Sequence, residues 1–452
     1  MADTQPYQPD PAILTLGPGF FDPVEAANFP DHRVRFFNRR WAERVGLGAI
    51  DVAAHFGRFE PLPDNLLHPL ALRYHGHQFR QYNPDIGDGR GFLFAQLRDD
   101  TGRLLDLGTK GSGQTPYSRF GDGRLTLKGG VREVLATEML EALGVNTSKS
   151  FALIETSEEL QRNDEPSPTR SAVLTRLSHG HIRIGAFQRL AFHEDSEGIA
   201  KLASYSLRNL FGEESEDPVR LFALVAERTA VLAASYLVAG FVHGVLNSDN
   251  INITGESFDY GPWRFAPTWD ETFVAAYFDH GGLYAFGRQP EAIHWDLAQL
   301  GGCLALVAEE SVLAEVSNKW PSRFEQALVT GLVRRLGIVA DTNRDRALVT
   351  AMLTVLRRQD VTIDRFFFDW RGGRVPDGGD VSLAEQLDGR QTLPGALDHD
   401  YWRDDDPCSL HIEEVEAIWA AIADRDDWAP FEAKIAAIRR MGEAMTIAEG
   451  TP

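Results

Sequence analysis

The sequence predicts an α+β fold with two lobes, a β-rich N-terminal lobe and an α-rich C-terminal lobe. Strand-like runs separated by turn residues dominate residues 66–195, and apolar residues at helical spacing dominate residues 196–452. The longest helical run leads into the loop HGVLNSDN, and a DYG triplet follows that loop. A strand hairpin, a lysine, a helix, further strands, a long helix, this loop and an Asp-aromatic-Gly triplet occur in the same order in protein kinases.

Residues 1–65 precede the strand-rich part and are rich in Pro, Asn and Asp around short amphipathic pieces such as AERVGLG. We interpret them as an N-terminal extension packed on the main body. The chain has 452 residues, of which 43% are hydrophobic, so it can bury the core of one large two-lobed unit.

Charge and cysteine content limit the possible partners and compartments. The formal net charge of −21 repels phosphate backbones and anionic lipids, and no basic patch interrupts it, so no nucleic-acid or membrane partner is expected. No uninterrupted apolar run reaches membrane-spanning length. Cys303 and Cys408 can form neither a disulfide framework nor a four-cysteine zinc site, and the start MADTQPYQPDPA has no targeting character. We expect a cytoplasmic monomer.

The strand-rich part begins with a predicted hairpin. The stretch GFLFAQLRDDTGRLLDLGTK contains two strands joined by turn residues 99–102, and it ends at Lys110. The next stretch, GGVREVLATEMLEALGV, opens with glycines, has helical apolar spacing and predicts a helix that ends near Gly144. SFALIET and SAVLTRL predict two further strands around a polar loop, residues 157–170, which we expect to be mobile.

The helical part contains the run DPVRLFALVAERTAVLAASYLV, which leads directly into the HGVLNSDN loop. It predicts a long helix with Asp217 as its N-cap and Pro218 in its first turn.

A kinase-like order of parts assigns candidate nucleotide contacts. In the segment DIGDGRG, Gly87 and Gly89 would let backbone N–H groups approach phosphates. Lys110 would neutralise phosphate oxygens, held by Glu133 on the following helix, although Glu138 on the same helix is an alternative partner. Taken singly, Lys110 is better explained as a solvated lysine at a strand end, the glycines are equally explained as a hairpin turn, and either glutamate is explained as a surface charge.

The loop carries the more specific pattern, since it nearly matches H-G-D-x-x-x-x-N. Val245 falls where a kinase has its catalytic base, while Asn250 and Asp259 fall on the two metal-binding positions. Magnesium prefers such oxygen ligands together with phosphate oxygens. Asp249 is the nearest carboxylate able to replace the missing base. The alternative is an Asn/Asp-rich turn between two strands.

Six stretches together resemble the selenoprotein O family, also called YdiU: IGDGRG, LGTKGSGQTPYSRFGDGR, LTRLSHGHIRIGAFQ, HGVLNSDNINI, DYGPW and DHGGLYAFGRQP. The resemblance implies a kinase fold that binds ATP in a flipped orientation. It also implies a metal-dependent protein adenylyltransferase that moves AMP from ATP to Ser, Thr or Tyr hydroxyls of proteins and releases pyrophosphate. The missing base at Val245 then has an explanation, because the α-phosphate rather than the γ-phosphate would face the acceptor.

The resemblance also implies a role for each matching residue. Asp249 matches the proton acceptor, Asn250 and Asp259 match the ligands of Mg²⁺ or Mn²⁺, and Glu133 matches the partner of the lysine. Arg176 and Arg183 match the arginines that receive the terminal phosphates, which two guanidinium groups suit electrostatically. The family's nucleotide contacts fall on Gly87, Gly89, Arg90, Lys110, Asp122, Gly123, Arg176, Arg183 and Asp259.

Two other functions stay open from the sequence, namely a kinase-fold phosphotransferase and a nucleotide-binding pseudokinase scaffold. The sequence also departs from the family at its end, where MTIAEGTP contains no cysteine, as does the segment 260–290. Redox control through a C-terminal cysteine is therefore not expected.

Overall fold

A computed structural model describes residues 6–163 and 165–446 of the chain. Residues 447–452, the end of the MTIAEGTP stretch on which the expectation about redox control rests, lie outside the described residues. The fold is mixed, with one large sheet in the N-terminal part and mainly helices after it, which confirms the α+β prediction.

Twelve strands occur in the described residues. Their bounds are β1 (Phe21–Pro23), β2 (Arg33–Phe37), β3 (Leu70–Leu72), β4 (Gly76–Gln78), β5 (Gln81–Asn83), β6 (Leu93–Arg98), β7 (Leu104–Lys110), β8 (Leu125–Thr126), β9 (Lys149–Leu160), β10 (Thr169–Ser178), β11 (Phe241–Val242) and β12 (Arg264–Phe265).

Fourteen α-helices and five short 3₁₀ helices accompany the strands in the same part of the chain. The α-helices are α1 (Arg39–Arg44), α2 (Val52–Phe56), α3 (Leu127–Ala142), α4 (Ile184–Phe192), α5 (Ser196–Leu210), α6 (Pro218–Ala239), α7 (Gln289–Leu304), α8 (Glu310–Ser317), α9 (Trp320–Leu336), α10 (Asp345–Leu356), α11 (Ile363–Asp369), α12 (Val381–Leu387), α13 (Ile412–Arg425) and α14 (Ala429–Met445). The 3₁₀ helices are Ala12–Leu16, Ser248–Asn250, Phe286–Arg288, Arg371–Gly373 and Asp400–Arg403.

The large sheet has eight strands in the order β1-β3-β6-β7-β10-β9-β2, with β8 paired to β10, and every pairing is antiparallel. Strands β6 and β7 form the predicted hairpin. The N-terminal residues contribute to both edges of the sheet, since β1 pairs with β3 and β2 pairs with β9. Residues 6–65 are therefore hydrogen-bonded into the same sheet as the strands that follow them.

Helix α3 packs against β9 and β10. It begins at Leu127, two residues before the predicted glycine start, because the side chain of Thr126 accepts a hydrogen bond from the backbone N–H of Gly129 and caps the helix. It buries apolar residues together with Glu133 and Glu138, which are both less than 4% exposed. Neither glutamate is therefore a surface charge.

Helix α6 begins as predicted, with the Asp217 side chain accepting from the N–H of Val219 and Pro218 in the first turn. It ends at Gly240, which has the left-handed conformation (φ 72°) typical of a helix C-terminus. Among the described helices, α6 alone is long and apolar enough to cross a membrane, although Arg220, Glu227 and Arg228 interrupt its apolar run. However, 72% of its apolar window is buried inside the protein, against helices that include α7 and α9.

Two predicted boundaries were wrong. The loop between β9 and β10 is shorter than the predicted residues 157–170, because β9 continues to Leu160 and β10 already begins at Thr169. Polar cross-strand contacts hold this extension together, including the Thr156–Ser171 hydroxyl pair at 2.5 Å. Helix α4, which starts at Ile184 and buries an apolar face, was not predicted.

Candidate active site

Lys110 lies at the end of β7, and its ammonium contacts Glu133 on α3. The distance from Nζ to Oε2 is 2.6 Å, and the two side chains are 5% and 0% exposed. Glu138, the alternative partner, instead accepts two hydrogen bonds from Arg439 on α14, at 2.7 and 2.8 Å. The structure thus pairs the hairpin lysine with Glu133, as the sequence pattern favoured.

Asp259 of the DYG triplet is surrounded by three cations. Its carboxylate lies 3.1 Å from Lys110 Nζ, 3.2 Å from Arg176 Nη1 and 3.1 Å from Arg183 Nη1. Burial opposes ionisation of this carboxyl, but Lys110 and the two arginines outweigh it and hold the pKa of Asp259 well below its ordinary value. Asp259 has a left-handed backbone (φ 66°), an unusual conformation for a residue other than glycine.

Arg183 connects this charged cluster to the HGVLNSDN loop. Its Nη1 donates to the backbone carbonyl of Asp249 at 2.6 Å, and its Nη2 lies 3.8 Å from Asp88. The guanidinium also stacks on aromatic rings, 4.5 Å from the centroid of Tyr74 and 4.6 Å from that of Phe258. The side chain is 3% exposed, so its orientation is fixed from several sides.

Arg176 is held less completely. Besides Asp259, its Nη1 lies 3.5 Å from Glu133, but its Nε is buried and has no hydrogen-bond partner among the described residues. A buried guanidinium N–H without a partner is costly, and an anion in the cleft would satisfy it.

Asp249 lies in the 3₁₀ turn Ser248–Asn250. Its Oδ1 is buried and has no partner in the described part of the chain. Burial raises the pKa of Asp249 to about 6, with Arg183 opposing the rise. A carboxyl of this kind is ionised near neutral pH yet retains an unpaired oxygen, as a general base requires.

Asn250 and Val245 contact one another across the loop. The Asn250 amide donates from Nδ2 to the backbone carbonyl of Val245 at 3.1 Å, which leaves Oδ1 as the amide atom suited to a cation. The Val245 side chain packs on the main core. His243 braces the loop from below, since its Nε2 lies 3.0 Å from the carbonyl of Phe258 and its N–H donates to Gln289.

The first G-D-G-R segment packs against the chain after β7. A Cβ on Gly87 would lie 2.6 Å from the ring of Tyr117, and one on Gly89 would lie 3.2 Å from the carbonyl of Tyr117, so both positions favour glycine. The carbonyl of Arg90 accepts from the N–H of Gly111 at 2.7 Å, which places Arg90 beside the end of β7.

The second G-D-G-R segment is further out. Gly123 has φ 70°, and its Cβ would come within 2.2 Å of Gly113, so this position requires glycine. Asp122 is half-exposed and pairs with Arg162 at 2.8 Å. No hydrogen bond or ion pair of residues 6–163 and 165–446 joins Asp122 to the charged cluster around Asp259, whereas Lys110, Glu133, Arg176, Arg183 and Asp249 are all linked to it.

Three residues at this site were not predicted from the sequence. Asp88, inside the first G-D-G-R, faces Arg183, and burial raises its pKa. Tyr74 stacks on Arg183 and follows no motif that would have marked it. Asp296 on α7 is fully buried, neither of its oxygens has a partner in the described chain, and burial followed by the nearby Asp249 raises its pKa well above the ordinary value. Its helical spacing from Ile293 and Leu300 could have identified it as a polar residue on a buried face.

Comparisons with known proteins agree with this constellation. The family described as "Protein adenylyltransferase SelO" matches residues 4–380. The chain is 43% identical to a protein nucleotidyltransferase YdiU of a Synechocystis strain, over 93% of this chain and 96% of that protein. It is 41% identical to the protein of that name from Synechococcus elongatus, over 97% and 96%, and 38% identical to one from Pseudomonas putida, over 66% and 62%.

The site contains a buried lysine–glutamate pair, a basic cluster around the aspartate of a DYG triplet and an adjacent carboxylate. Together with these relatives, it defines a nucleotidyltransferase. The family match covers most of the chain, and two relatives are more than 40% identical over nearly its full length, so the family assignment is specific. The chain belongs to the SelO family of protein adenylyltransferases.

Proposed function

We propose that this enzyme transfers AMP from ATP to Ser, Thr or Tyr hydroxyls of proteins, with a divalent cation, and releases pyrophosphate. We further propose that its two parts are arranged as the lobes of a kinase-like fold, and that it acts as a cytoplasmic monomer without nucleic-acid or membrane partners. The observation that carries the proposal is the buried basic cluster of Lys110, Arg176 and Arg183 around Asp259.

The cluster supports a site for the terminal phosphates of ATP. Arg176 and Arg183 are 4% and 3% exposed, so phosphates bound by them would be buried as well. The three cations face the carboxylates of Asp259 and Glu133, but the buried Nε of Arg176 has no partner in the described chain, so the cluster keeps a charged hydrogen-bond donor for an anion. A departing pyrophosphate would be stabilised by the same guanidinium groups.

Asp249 supports the choice of acceptor chemistry. Its carbonyl is bound to Arg183, so the candidate base lies beside the candidate phosphate site rather than beside Val245. In the proposed reaction the acceptor oxygen attacks the α-phosphorus, its proton moves to the unpaired Oδ1 of Asp249, and the bond between the α-phosphorus and the bridging oxygen of pyrophosphate breaks.

Asn250 and Asp259 fit a Mg²⁺ or Mn²⁺ ion by their chemistry. Amide and carboxylate oxygens are the hard donors that these ions prefer. No group of three or more His, Cys, Asp or Glu side chains among the described residues could hold a metal ion alone, which suits an ion that takes its remaining ligands from phosphates and water. Such an ion would supply charge neutralisation at the phosphates, while Lys110 would orient the same oxygens.

The glycine-rich segments support nucleotide binding by backbone groups. Gly87, Gly89 and Gly123 lie where a Cβ would collide with neighbouring atoms, the Tyr117 side chain among them, so these turns are closely packed and favour glycine. We propose that these glycines, with Arg90 and Asp122, line the nucleoside side of the cleft.

ATP labelled at either the α- or the γ-phosphate tests the proposal against the two alternatives. Incubation with a mixture of proteins and Mg²⁺ should leave label on protein only from the α position. Label from the γ position would show a phosphotransferase, and label from neither would show a nucleotide-binding scaffold. Asp249→Asn serves as the matched control, because it keeps the shape of the site and removes the proton acceptor.

A further inference from the structure

Four aromatic side chains form a continuous row from the solvent to the HGVLNSDN loop: Tyr277, Phe278, Phe79 and Tyr284. Successive ring centroids are 5.2, 5.9 and 5.2 Å apart. Their exposed fractions fall along the row, at 77%, 41%, 37% and 3%. Of the five exposed aromatic side chains in residues 6–163 and 165–446, three belong to this aromatic row.

The buried end of the row is fastened two residues before the candidate base. The hydroxyl of Tyr284 donates to Asn247 Oδ1 at 2.6 Å, and the backbone N–H of Phe79 donates to the same oxygen at 2.9 Å. The row therefore ends beside Asp249, where an acceptor hydroxyl would have to arrive.

The hairpin that carries Phe79 is held in an unfavourable conformation. Phe79 and Arg80 form the two-residue turn between β4 and β5, and both have left-handed backbones, with φ of 49° and 61°. Asn and Gly are the residues that normally occupy such turns. Contacts elsewhere compensate, since Arg80 pairs with Glu291 at 2.7 Å and lies 5.5 Å from the ring of Trp295. Strain of this kind persists where the surrounding structure fixes it, which is common at binding sites.

The segment that carries the outer rings is also preorganised. Asp279 is buried, and its two carboxylate oxygens accept from the backbone N–H groups of Leu283 and Tyr284, both at 2.8 Å. Tyr277 and Phe278 thus project from a braced turn, although no described part of the chain covers them. Preorganised aromatic side chains bind at low entropic cost, and this makes them effective anchors for a partner.

We infer that the aromatic row is the docking surface for the acceptor segment of the protein substrate, and that this segment carries a large apolar side chain next to its hydroxyl residue. The inference rests on the proposed function. The row is continuous with the base, so a chain lying on it would present its hydroxyl to Asp249. The chain has 66 acidic and 45 basic residues, so lysine or arginine in the acceptor segment is favoured as well.

Two synthetic peptides test the inference. One has a single serine flanked on both sides by phenylalanine and then lysine, and its twin has glycine in place of phenylalanine. With α-labelled ATP and Mg²⁺, the wild-type enzyme should modify the phenylalanine peptide with a kcat/KM about tenfold higher than the twin, since burying an aromatic side chain is worth at least that factor. In Phe278→Ser and Tyr277→Ser this preference should fall to about twofold or less.

Val381→Ser is the matched control, because Val381 is an exposed apolar side chain on another element, helix α12, and is 72% exposed. It should keep the wild-type preference. A wild-type enzyme that modifies both peptides equally, or a Phe278→Ser variant that keeps the tenfold preference, would overturn the inference and leave AMP transfer standing. If the wild type incorporates no α-label into any protein or peptide, the proposed function fails and the inference fails with it.

The same variants decide whether a second copy of the chain occupies the row instead. Light scattering should give one mass for wild type and Phe278→Ser at equal concentration. A wild-type dimer that becomes a monomer in Phe278→Ser would assign the row to self-association and overturn the inference.

Discussion

Replacing Arg176 with alanine should weaken ATP binding and leave AMP binding unchanged. Arg176 lies on β10, is 4% exposed, and contacts Asp259 at 3.2 Å while its Nε has no partner in the described chain. In the variant Asp259 keeps its contacts with Lys110 and Arg183, so the free protein loses one of three cations around that carboxylate. The bound nucleotide loses a charge-assisted hydrogen bond, which is worth about 1–3 kcal/mol, or about 5- to 150-fold in Kd.

Arg183 is the less suitable residue for this experiment, although it lies at the same site. It also binds the carbonyl of Asp249 and stacks on Tyr74 and Phe258. Removing it would leave Asp88 and Asp259 with less compensation, and breaking a buried charge network of this kind costs about 3–5 kcal/mol of stability. A loss of ATP affinity in Arg183→Ala would therefore mix binding with folding.

Isothermal titration of wild type and Arg176→Ala with ATP and with AMP, both in the presence of Mg²⁺, measures the effect. Arg170→Ala is the matched control, since Arg170 lies on the same strand but pairs with Glu155 and Asp426 instead. If Arg176→Ala lost ATP and AMP affinity in parallel, the residue would not bind the terminal phosphates. Equal ATP affinity in the Arg176 and Arg170 variants would refute the reasoning altogether.

Three further predictions concern the loop and its surroundings. Asp249→Asn should lower α-label incorporation by about 10²–10⁴-fold and leave ATP binding unchanged in a parallel titration, while Val245→Asp should transfer no γ-label. Full α-label incorporation by Asp249→Asn, or γ-label transfer by Val245→Asp, would contradict the assignment of Asp249 as the base. Asn250→Ala should abolish Mg²⁺-dependent transfer with little change in melting temperature, since the hydrogen bond from Asn250 to Val245 is worth only about 1 kcal/mol. Asp259→Ala is less suitable, because it would also leave three cations without their carboxylate. Transfer by Asn250→Ala at the wild-type rate would exclude Asn250 as a metal ligand. Burial raises the pKa of Asp296 in the folded state, so folding favours the protonated carboxyl and stability falls as pH rises above the unfolded pKa of about 4. Asp296→Asn should therefore reduce the fall in melting temperature between about pH 5 and pH 8. An unchanged fall would assign this pH dependence to other groups.

Local pattern predicted the parts of this fold that local chemistry determines. The hairpin that ends at Lys110, the capped start of α6 and the presence of strands β9 and β10 on either side of a polar loop all follow from turn residues, a cap and strand spacing. Helix α4 and the continuation of β9 to Leu160 did not follow, because long-range packing and cross-strand hydroxyl contacts decide them.

The candidate site divides in the same way. Lys110, Asp259 and Asn250 stand at fixed spacings in recognisable stretches, so they could be selected from the sequence. The sequence favoured Glu133 but left Glu138 open, because the choice depends on which of the two faces Lys110 and which faces Arg439. Tyr74 and Asp296 reach the site only through tertiary structure, since no motif in their own segments of the sequence marks them as site residues.

The depth of the charged groups in the cleft gives a physical reason for AMP transfer by a loop that lacks the usual base. Arg176 and Arg183 are buried, whereas the aromatic row runs from solvent to Asn247 of the loop that carries Asp249. If the terminal phosphates are bound by the buried arginines, the α-phosphorus is the one nearest to an acceptor that arrives along the row. A carboxylate at Val245 would then have no γ-phosphate within reach, and the useful position for a base is Asp249, whose carbonyl is fixed by Arg183 itself. The position of the buried positive charge thus determines which phosphate is transferred. The position of the transferred phosphate in turn determines where the base must lie.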